Sequence, residues 1–278
     1  MNKSNINEQK YSFDNKGKFL FIRHGQTICN SDKNYKVRKF NSEYIDSHLS
    51  EKGKKQTTRL KNIIKDLNIE SIYVSPLYRS LETAKYMLED NQKYKGEIIV
   101  HPLIIECPNC IDDFIFDIKE TRNDFKDLNI NWKIFDDYID KYKKWNENFY
   151  YFQYFNRLDD NEKSNKYNKL LNLYNKGDMN EFKKEIVNEM PRIIFNKNSL
   201  QPFESFKHVY SRFLEFKNYL AEKHKDSLND SERKVLVITH GDFLGVITNK
   251  YLYESDDNNF YPDDCCYCKN CDIISIYI

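Results

Sequence analysis

Short apolar runs that end in charged or histidine-bearing loops, with helical stretches between them, limit what this chain can fold into. The first run, Lys18-Phe19-Leu20-Phe21-Ile22, leads directly into Arg23-His24-Gly25. Further runs lie at Ile72 to Val74, Glu97 to Val100, Val235 to Ile238 and Ile273 to Ile278. Brief apolar segments with polar flanks suit buried parallel strands. Between them, Leu60, Ile63, Ile64 and Leu67 share one helical face behind Leu49-Ser50, and Leu77, Leu81, Ala84 and Leu88 share another. Ser75-Pro76 reads as an N-cap followed by proline at the first helical position. A helix also follows Gly241, through Tyr251. Strands alternating with helices predict βαβ units and an α/β fold: a mainly parallel central sheet between two helical layers.

From about 107 to 202 the pattern changes. Trp132, Phe135, Ile139 and Tyr142 fall on one helical face, while 159–168 and Lys176-Gly177-Asp178 are polar breaks. This stretch is expected to be a mostly helical insertion within one domain spanning 1–278. Phe206, Val209, Tyr210, Phe213 and Leu220 then return the chain to the core on a long amphipathic helix.

Composition narrows the function classes. With 44 basic and 43 acidic residues the formal charge is +1, so no bulk field favours nucleic acid or an anionic membrane. The interleaved tyrosines and lysines read as solvated surface. No apolar run reaches membrane-spanning length, and Met1 to Lys18 lacks the apolar stretch of a secretory leader. Seven cysteines, an odd number in a chain of 278 residues, argue against a disulfide framework. A cytoplasmic protein with reduced thiols is the expectation. Cys265, Cys266, Cys268 and Cys271 crowd too closely for a tetrahedral zinc loop, and Cys107 and Cys110 have no second pair at finger spacing. They are read as structural thiols, with no metal and no cofactor expected.

Ligands of open α/β sheets gather at the carboxyl ends of strands. Three such ends carry Arg23-His24-Gly25-Gln26-Thr27, with Asn30 close behind, then Ser75 to Ala84 with Arg79, and Thr239-His240-Gly241-Asp242. Paired strands would bring His24, His240, Arg23 and Arg79 to one edge, a setting for a phosphate dianion. A neutral imidazole is a good nucleophile, and the arginines would disfavour protonation of His24 while clamping phosphoryl oxygens.

These motifs resemble the histidine phosphatase superfamily, in the phosphoglycerate-mutase-like branch. Arg23 to Thr27 matches its Arg-His-Gly-(Glu or Gln)-Thr signature, and Asn30 its usual asparagine. Asp46 to Gln56 follows its Asp-x-x-Leu-(Ser or Thr)-x-x-Gly-x-x-Gln run, and Ser75 to Ala84 its Ser-Pro-Leu-x-Arg-x-x-Glu-Thr-Ala run. Glu204-Ser205, Arg212, His240-Gly241 and Asn270-Cys271 match later landmarks. The resemblance implies a three-layer αβα phosphoglycerate-mutase-like fold and hydrolysis of phosphomonoesters through phospho-His24. Arg23, Arg79 and His240 would bind the phosphate; Gln26, Thr27 and Asn30 would join them there or stabilise the loop. Glu106, after the third strand in Leu103-Ile104-Ile105-Glu106, would protonate the leaving group, with Asp242 as the fallback.

Mutases of this family carry tryptophan before the signature asparagine, where this chain has Cys29, and Glu-Arg-His-Tyr-Gly around the acid, where Cys107-Pro108-Asn109-Cys110 follows Glu106. These departures favour a phosphatase. A phosphoglycerate mutase and a phosphate-binding scaffold without turnover stay open as alternatives. The expected partner is a small phosphorylated molecule or a phosphoprotein, with neither nucleic acid nor membrane. A homodimer stays open.

Overall fold

The structure, a computed structural model, describes residues 17–34, 41–89, 94–107, 111–115, 117–142, 165, 168–170, 172–173, 175–194, 206–248 and 268–278. Cys110, Cys265 and Cys266 lie outside them, as do the polar break at 159–164 and Glu204-Ser205.

The described strands are β1 (Phe19–Arg23), β2 (Asn68–Val74), β3 (Ile98–Val100), β4 (Ile130–Asn131), β5 (Arg233–Thr239) and β6 (Ile273–Ile276). They form one sheet in the order β4-β3-β2-β5-β1-β6. All neighbours run parallel except β6, which pairs antiparallel with β1. The predicted strands are all present. β4 was not anticipated, because two residues carry no readable periodicity. The described helices are α1 (Ile28–Ser31), α2 (Glu51–Ile64), α3 (Tyr78–Leu88), α4 (Ile118–Asp124), α5 (Lys133–Tyr142), α6 (Met179–Ile194), α7 (Phe206–Lys223) and α8 (Gly241–Thr248).

Alternation along the strands builds two cores. Leu20 and Ile22, Ile72 and Val74, and Leu236 and Ile238 point to one face, where Leu60 and Ile64 of α2 and Leu77, Leu81, Ala84 and Met87 around α3 cover them. Phe19 and Phe21, Tyr73, and Val235 and Val237 point to the other, against Val209, Phe213, Phe216 and Leu220 of α7 and Phe243, Leu244 and Val246 of α8. Strands buried on both faces read as near-continuous apolar runs, which is why they stood out in the sequence. The result is the expected three-layer α/β architecture. No helix among the described residues is long and apolar enough to cross a membrane.

One helix start differs from expectation. α3 begins at Tyr78 with Leu77 at its cap and no side-chain cap bond, so Ser75 does not cap it. Asp46, held at a positive φ of 47°, serves the exposed end instead, its Oδ1 accepting from the Tyr78 amide at 2.8 Å. The Ser75 hydroxyl lies 2.6 Å from His240 Nε2 and meets the Leu77 amide only at 3.5 Å. The turn expected at Lys176-Gly177-Asp178 is present, with Gly177 at a φ of 72° that favours glycine. Phe135 of α5 is buried as predicted, with Trp132 packed edge-on beside it at 5.8 Å.

Candidate active site

Strand register assembles the site. Arg23 pairs with Thr239, Val74 with Ile238, and Val74 with Val100, so the carboxyl ends of β1, β5, β2 and β3 finish at one rim. The next residues, His24, His240, Ser75 and His101, therefore stand side by side. The His24 amide still bonds Thr239 at 3.0 Å, and the imidazoles of His24 and His240 lie 5.1 Å apart between ring centres.

The loop carrying His24 is held from several sides. Gly25 donates its amide to Thr83 Oγ1 at 3.0 Å, and Asn270 donates Nδ2 to the His24 carbonyl at 3.0 Å. The Cys271 amide donates to the Arg23 carbonyl at 3.0 Å. Helix α2 seats against the same loop at Gly53, where an added Cβ would lie 2.0 Å from the Gln26 carbonyl oxygen. Only glycine allows that approach.

His24 is 2% exposed, and its hydrogen bonds define its protonation. Nδ1 lies 2.7 Å from the Gly25 carbonyl, which can only accept, so Nδ1 carries the proton. Arg79 donates Nε to Nε2 at 3.2 Å, so Nε2 carries the lone pair. Burial, then Arg79, then Arg23 hold the imidazole well below its ordinary pKa, against the opposing Gly25 hydrogen bond. The sequence reading credited the arginines; burial is the larger cause. A neutral imidazole with its lone pair beside a guanidinium can attack an electrophilic phosphorus.

Arg79, 1% exposed, enters from the first turn of α3. Its terminal nitrogens donate to the Asp112 carbonyl and to Asp113 Oδ1, the latter at 2.9 Å. Burial opposes its charge, but the carboxylates of Asp112, Asp113, Glu106 and Asp46 outweigh that and keep it firmly cationic. Arg23 donates to the Cys268 carbonyl. Its guanidinium rests on Gly241, where a Cβ would come within 2.8 Å of Cζ.

His240 is fully buried. Its Nε2 lies 2.6 Å from Ser75 Oγ and 3.4 Å from Ser80 Oγ, while Nδ1 has no hydrogen-bond partner among the described residues. Burial, followed by Arg79, His24, Arg212 and Arg23, keeps it neutral. An unsatisfied buried ring nitrogen beside two guanidinium groups is suited to meet an anion.

Glu106 lies where α8 begins. Oε1 accepts from the Cys107 and Phe243 amides, both at 2.9 Å, and Oε2 from the Asp242 amide at 3.4 Å. Burial and the Asp242 carboxylate raise its pKa to about 7, against Arg79 and the amide bonds. A carboxyl poised there can give and take a proton near neutrality. Arg212, noted in the sequence without a role, fixes this loop. Its guanidinium donates to the carbonyls of Leu103 at 2.6 Å, Ile105 at 2.7 Å and Glu106 at 3.2 Å, and stacks on Phe243.

The remaining predicted contacts face other duties. Thr27 and Asn30 form a capping box on α1, with Asn30 N to Thr27 Oγ1 at 2.9 Å and Thr27 N to Asn30 Oδ1 at 3.4 Å. Gln26 is tied to Ser50, whose hydroxyl meets both its carbonyl and Oε1 at 3.1 Å. In this arrangement all three shape the loop. Asp112 and Asp113 escaped the sequence reading, because an acidic pair inside a stretch taken as an insertion gives no pattern signal. Among the described residues, no cluster of His, Cys, Asp and Glu suits a metal ion.

Residues 19–132 match the histidine phosphatase superfamily, branch 1. Over these residues the chain is similar to that superfamily. The match ends before Arg212 and His240, which the fold brings to the same rim. Fructose-2,6-bisphosphatase TIGAR B of Danio rerio is 34% identical over 86 residues, 31% of this chain and 32% of that protein. A 2,3-bisphosphoglycerate-dependent phosphoglycerate mutase of Chlamydia felis is 30% identical over 82 residues, 30% of this chain and 34% of that one. The matched stretch thus spans about a third of the length of these relatives. Among solved structures, the ecdysone phosphate phosphatase of Bombix mori, in complex with tungstate, overlaps with a TM-score of 0.48 at 13% identity, covering 92% of this chain and 86% of that one.

Proposed function

We propose that this chain hydrolyses phosphomonoesters through a phosphohistidine on His24. The observation that carries the reading is the state of that imidazole: its Nδ1 is bound to the Gly25 carbonyl and its Nε2 lone pair is met by Arg79 at 3.2 Å. Such a ring is a nucleophile set beside the cation that a transferring phosphoryl group needs.

In the first step Nε2 of His24 forms a bond to phosphorus and the ester P–O bond breaks. Arg23, Arg79 and the open Nδ1 of His240 take the charge on the phosphoryl oxygens. Glu106, in its protonated form, gives its proton to the leaving oxygen. In the second step a water attacks phosphorus, Glu106 takes the water's proton, and the P–N bond breaks to release phosphate and restore neutral His24. The substrate is a small phosphorylated molecule or a phosphoprotein, and the chain works in the cytoplasm without a nucleic-acid partner. The stretch 107–202, an insertion in this reading, lends Asp112 and Asp113 to the site.

The test is a phosphoenzyme trap. Acid-labile, base-stable label from a radiolabelled phosphate ester should appear on the wild type and vanish in His24→Ala. Undiminished hydrolysis by that variant would overturn the reading. The mutase relative supplies the second reading, since the same phosphohistidine could pass its group to a second hydroxyl. Phosphoglycerate isomerisation well above hydrolysis would establish that one instead.

A further inference from the structure

Each nitrogen of the Arg79 guanidinium is engaged through one of its N–H groups: Nε on His24, one terminal nitrogen on the Asp112 carbonyl and the other on the Asp113 carboxylate. A phosphoryl group approaching His24 needs the same guanidinium, because Arg79 is the cation in contact with the nucleophilic nitrogen. Asp112 and Asp113 are 4% and 5% exposed, and they sit on a single turn, Ile111–Asp113. A carboxylate there is a flat anion that occupies the guanidinium edge a phosphoryl group would take. We propose that Asp113 is a specificity-determining residue: its carboxylate competes with the ligand for Arg79, so that the site takes up dianionic phosphoryl groups and rejects monoanions. This rests on the phosphatase reading for the location of the phosphoryl group but not for turnover.

The selectivity follows from charge. Exchanging one carboxylate for another singly charged anion on a buried guanidinium gains nothing and costs the displaced Asp113 its partner. A phosphomonoester dianion brings a second charge, which Arg23 is placed to receive, and its remaining oxygens reach the open Nδ1 of His240. Displacement is then favourable.

The test is binding, read by calorimetry without turnover. Inorganic phosphate should bind the wild type, and dimethyl phosphate, a permanent monoanion, should not. In Asp113→Asn phosphate should bind about tenfold or more tightly, a shift of the size usual for competing sites, and dimethyl phosphate should now bind. Asp113→Glu should restore the wild-type pattern. Unchanged or weaker phosphate binding in Asp113→Asn, or continued exclusion of dimethyl phosphate, would overturn the proposal. Should the asparagine variant fail to fold, amide exchange on the wild type decides: saturating phosphate should speed exchange at 111–115, and unchanged or slowed exchange there refutes displacement. A chain that binds phosphate in this way yet hydrolyses no ester would keep the Asp113 proposal and lose the hydrolytic one.

Discussion

Nε of Arg79 donates to Nε2 of His24 at 3.2 Å, while Nδ1 of the same ring is fixed on the Gly25 carbonyl at 2.7 Å. One bond selects the tautomer, and the other places a permanent positive charge at the nitrogen left unprotonated. Imidazole and guanidinium are therefore a single unit, set by a strand end on one side and the first turn of a helix on the other, and the proposed hydrolysis uses them as nucleophile and phosphoryl clamp.

Arg79→Lys keeps a charge but loses the planar fork, and a point charge cannot bond a ring nitrogen and two phosphoryl oxygens in fixed geometry. Turnover should fall about 10²- to 10³-fold, as for removal of a directed transition-state donor. Burial is the leading cause of the low His24 pKa. The acid limb of kcat/KM should accordingly stay well below 6.5 in both proteins. A limb that climbs to 6.5 or above in the variant would transfer that role to Arg79.

Glu106, raised to about 7, is protonated below that pH and can serve as an acid there. Activity limited by leaving-group protonation should decline as pH rises through about 7. Glu106→Gln keeps the shape but carries no transferable proton. It should lower kcat on alkyl phosphates about 10²- to 10⁴-fold and remove the alkaline limb, with a smaller loss on 4-nitrophenyl phosphate, whose leaving group needs no proton. Equal losses on both substrates in the rate of phosphoenzyme formation would remove Glu106 from the leaving group's proton path.

Much of this site was legible because parallel strands buried on both faces announce themselves as apolar runs, and their carboxyl ends carry the polar chemistry. His24, Arg79 and His240, far apart in sequence, followed from that rule. What the sequence did not show were contacts without periodicity. Asp113 reaches Arg79 from a turn, and Arg212 holds the Glu106 loop through three carbonyls in and just after the short 3-10 turn Pro102–Ile104. Ser75 looked like a helix cap because Pro76 follows it, yet its hydroxyl lies 2.6 Å from His240. Local capping preference lost to a buried imidazole that needed a partner. β6 was readable as a strand, but its antiparallel direction was not, since a short apolar run carries no direction.

Ser75 sets the form of His240. For the open Nδ1 to donate to a phosphoryl oxygen, Nε2 must accept, and Ser75 is placed to donate to it. Ser75→Ala leaves Ser80 at 3.4 Å, a poorer donor, and allows the opposite tautomer. KM for a phosphate ester should rise about five- to tenfold, the worth of a buried hydrogen bond. Nitrogen-15 shifts should show Nδ1–H in the wild type and a mixture in the variant. A wild-type ring protonated on Nε2 would refute the assignment.

At the opposite end of the sheet, Glu70 anchors a network that should govern acid stability. Lys18 Nζ lies 2.6 Å from Oε2, His224 Nδ1 2.8 Å from Oε1, and Ser227 Oγ 3.0 and 3.1 Å from the two oxygens. Burial alone would raise this carboxyl, but those partners outweigh it and push it from 4.5 down to about 2. A depressed carboxylate stabilises the fold above its unfolded pKa, and that contribution disappears as pH falls from about 4.5 to about 2. The shift corresponds to ~3 kcal/mol at most. His224, lowered mainly by burial, acts in the same direction, since its neutral form is the one the fold favours and acid removes that preference below pH 6.5. Glu70→Gln should therefore be less stable than the wild type in urea at pH 7, with the gap narrowing as pH falls from about 4.5 to 3. A gap of constant size from pH 7 to pH 3 would mean that the carboxylate's charge contributes nothing, leaving only the lost hydrogen bonds.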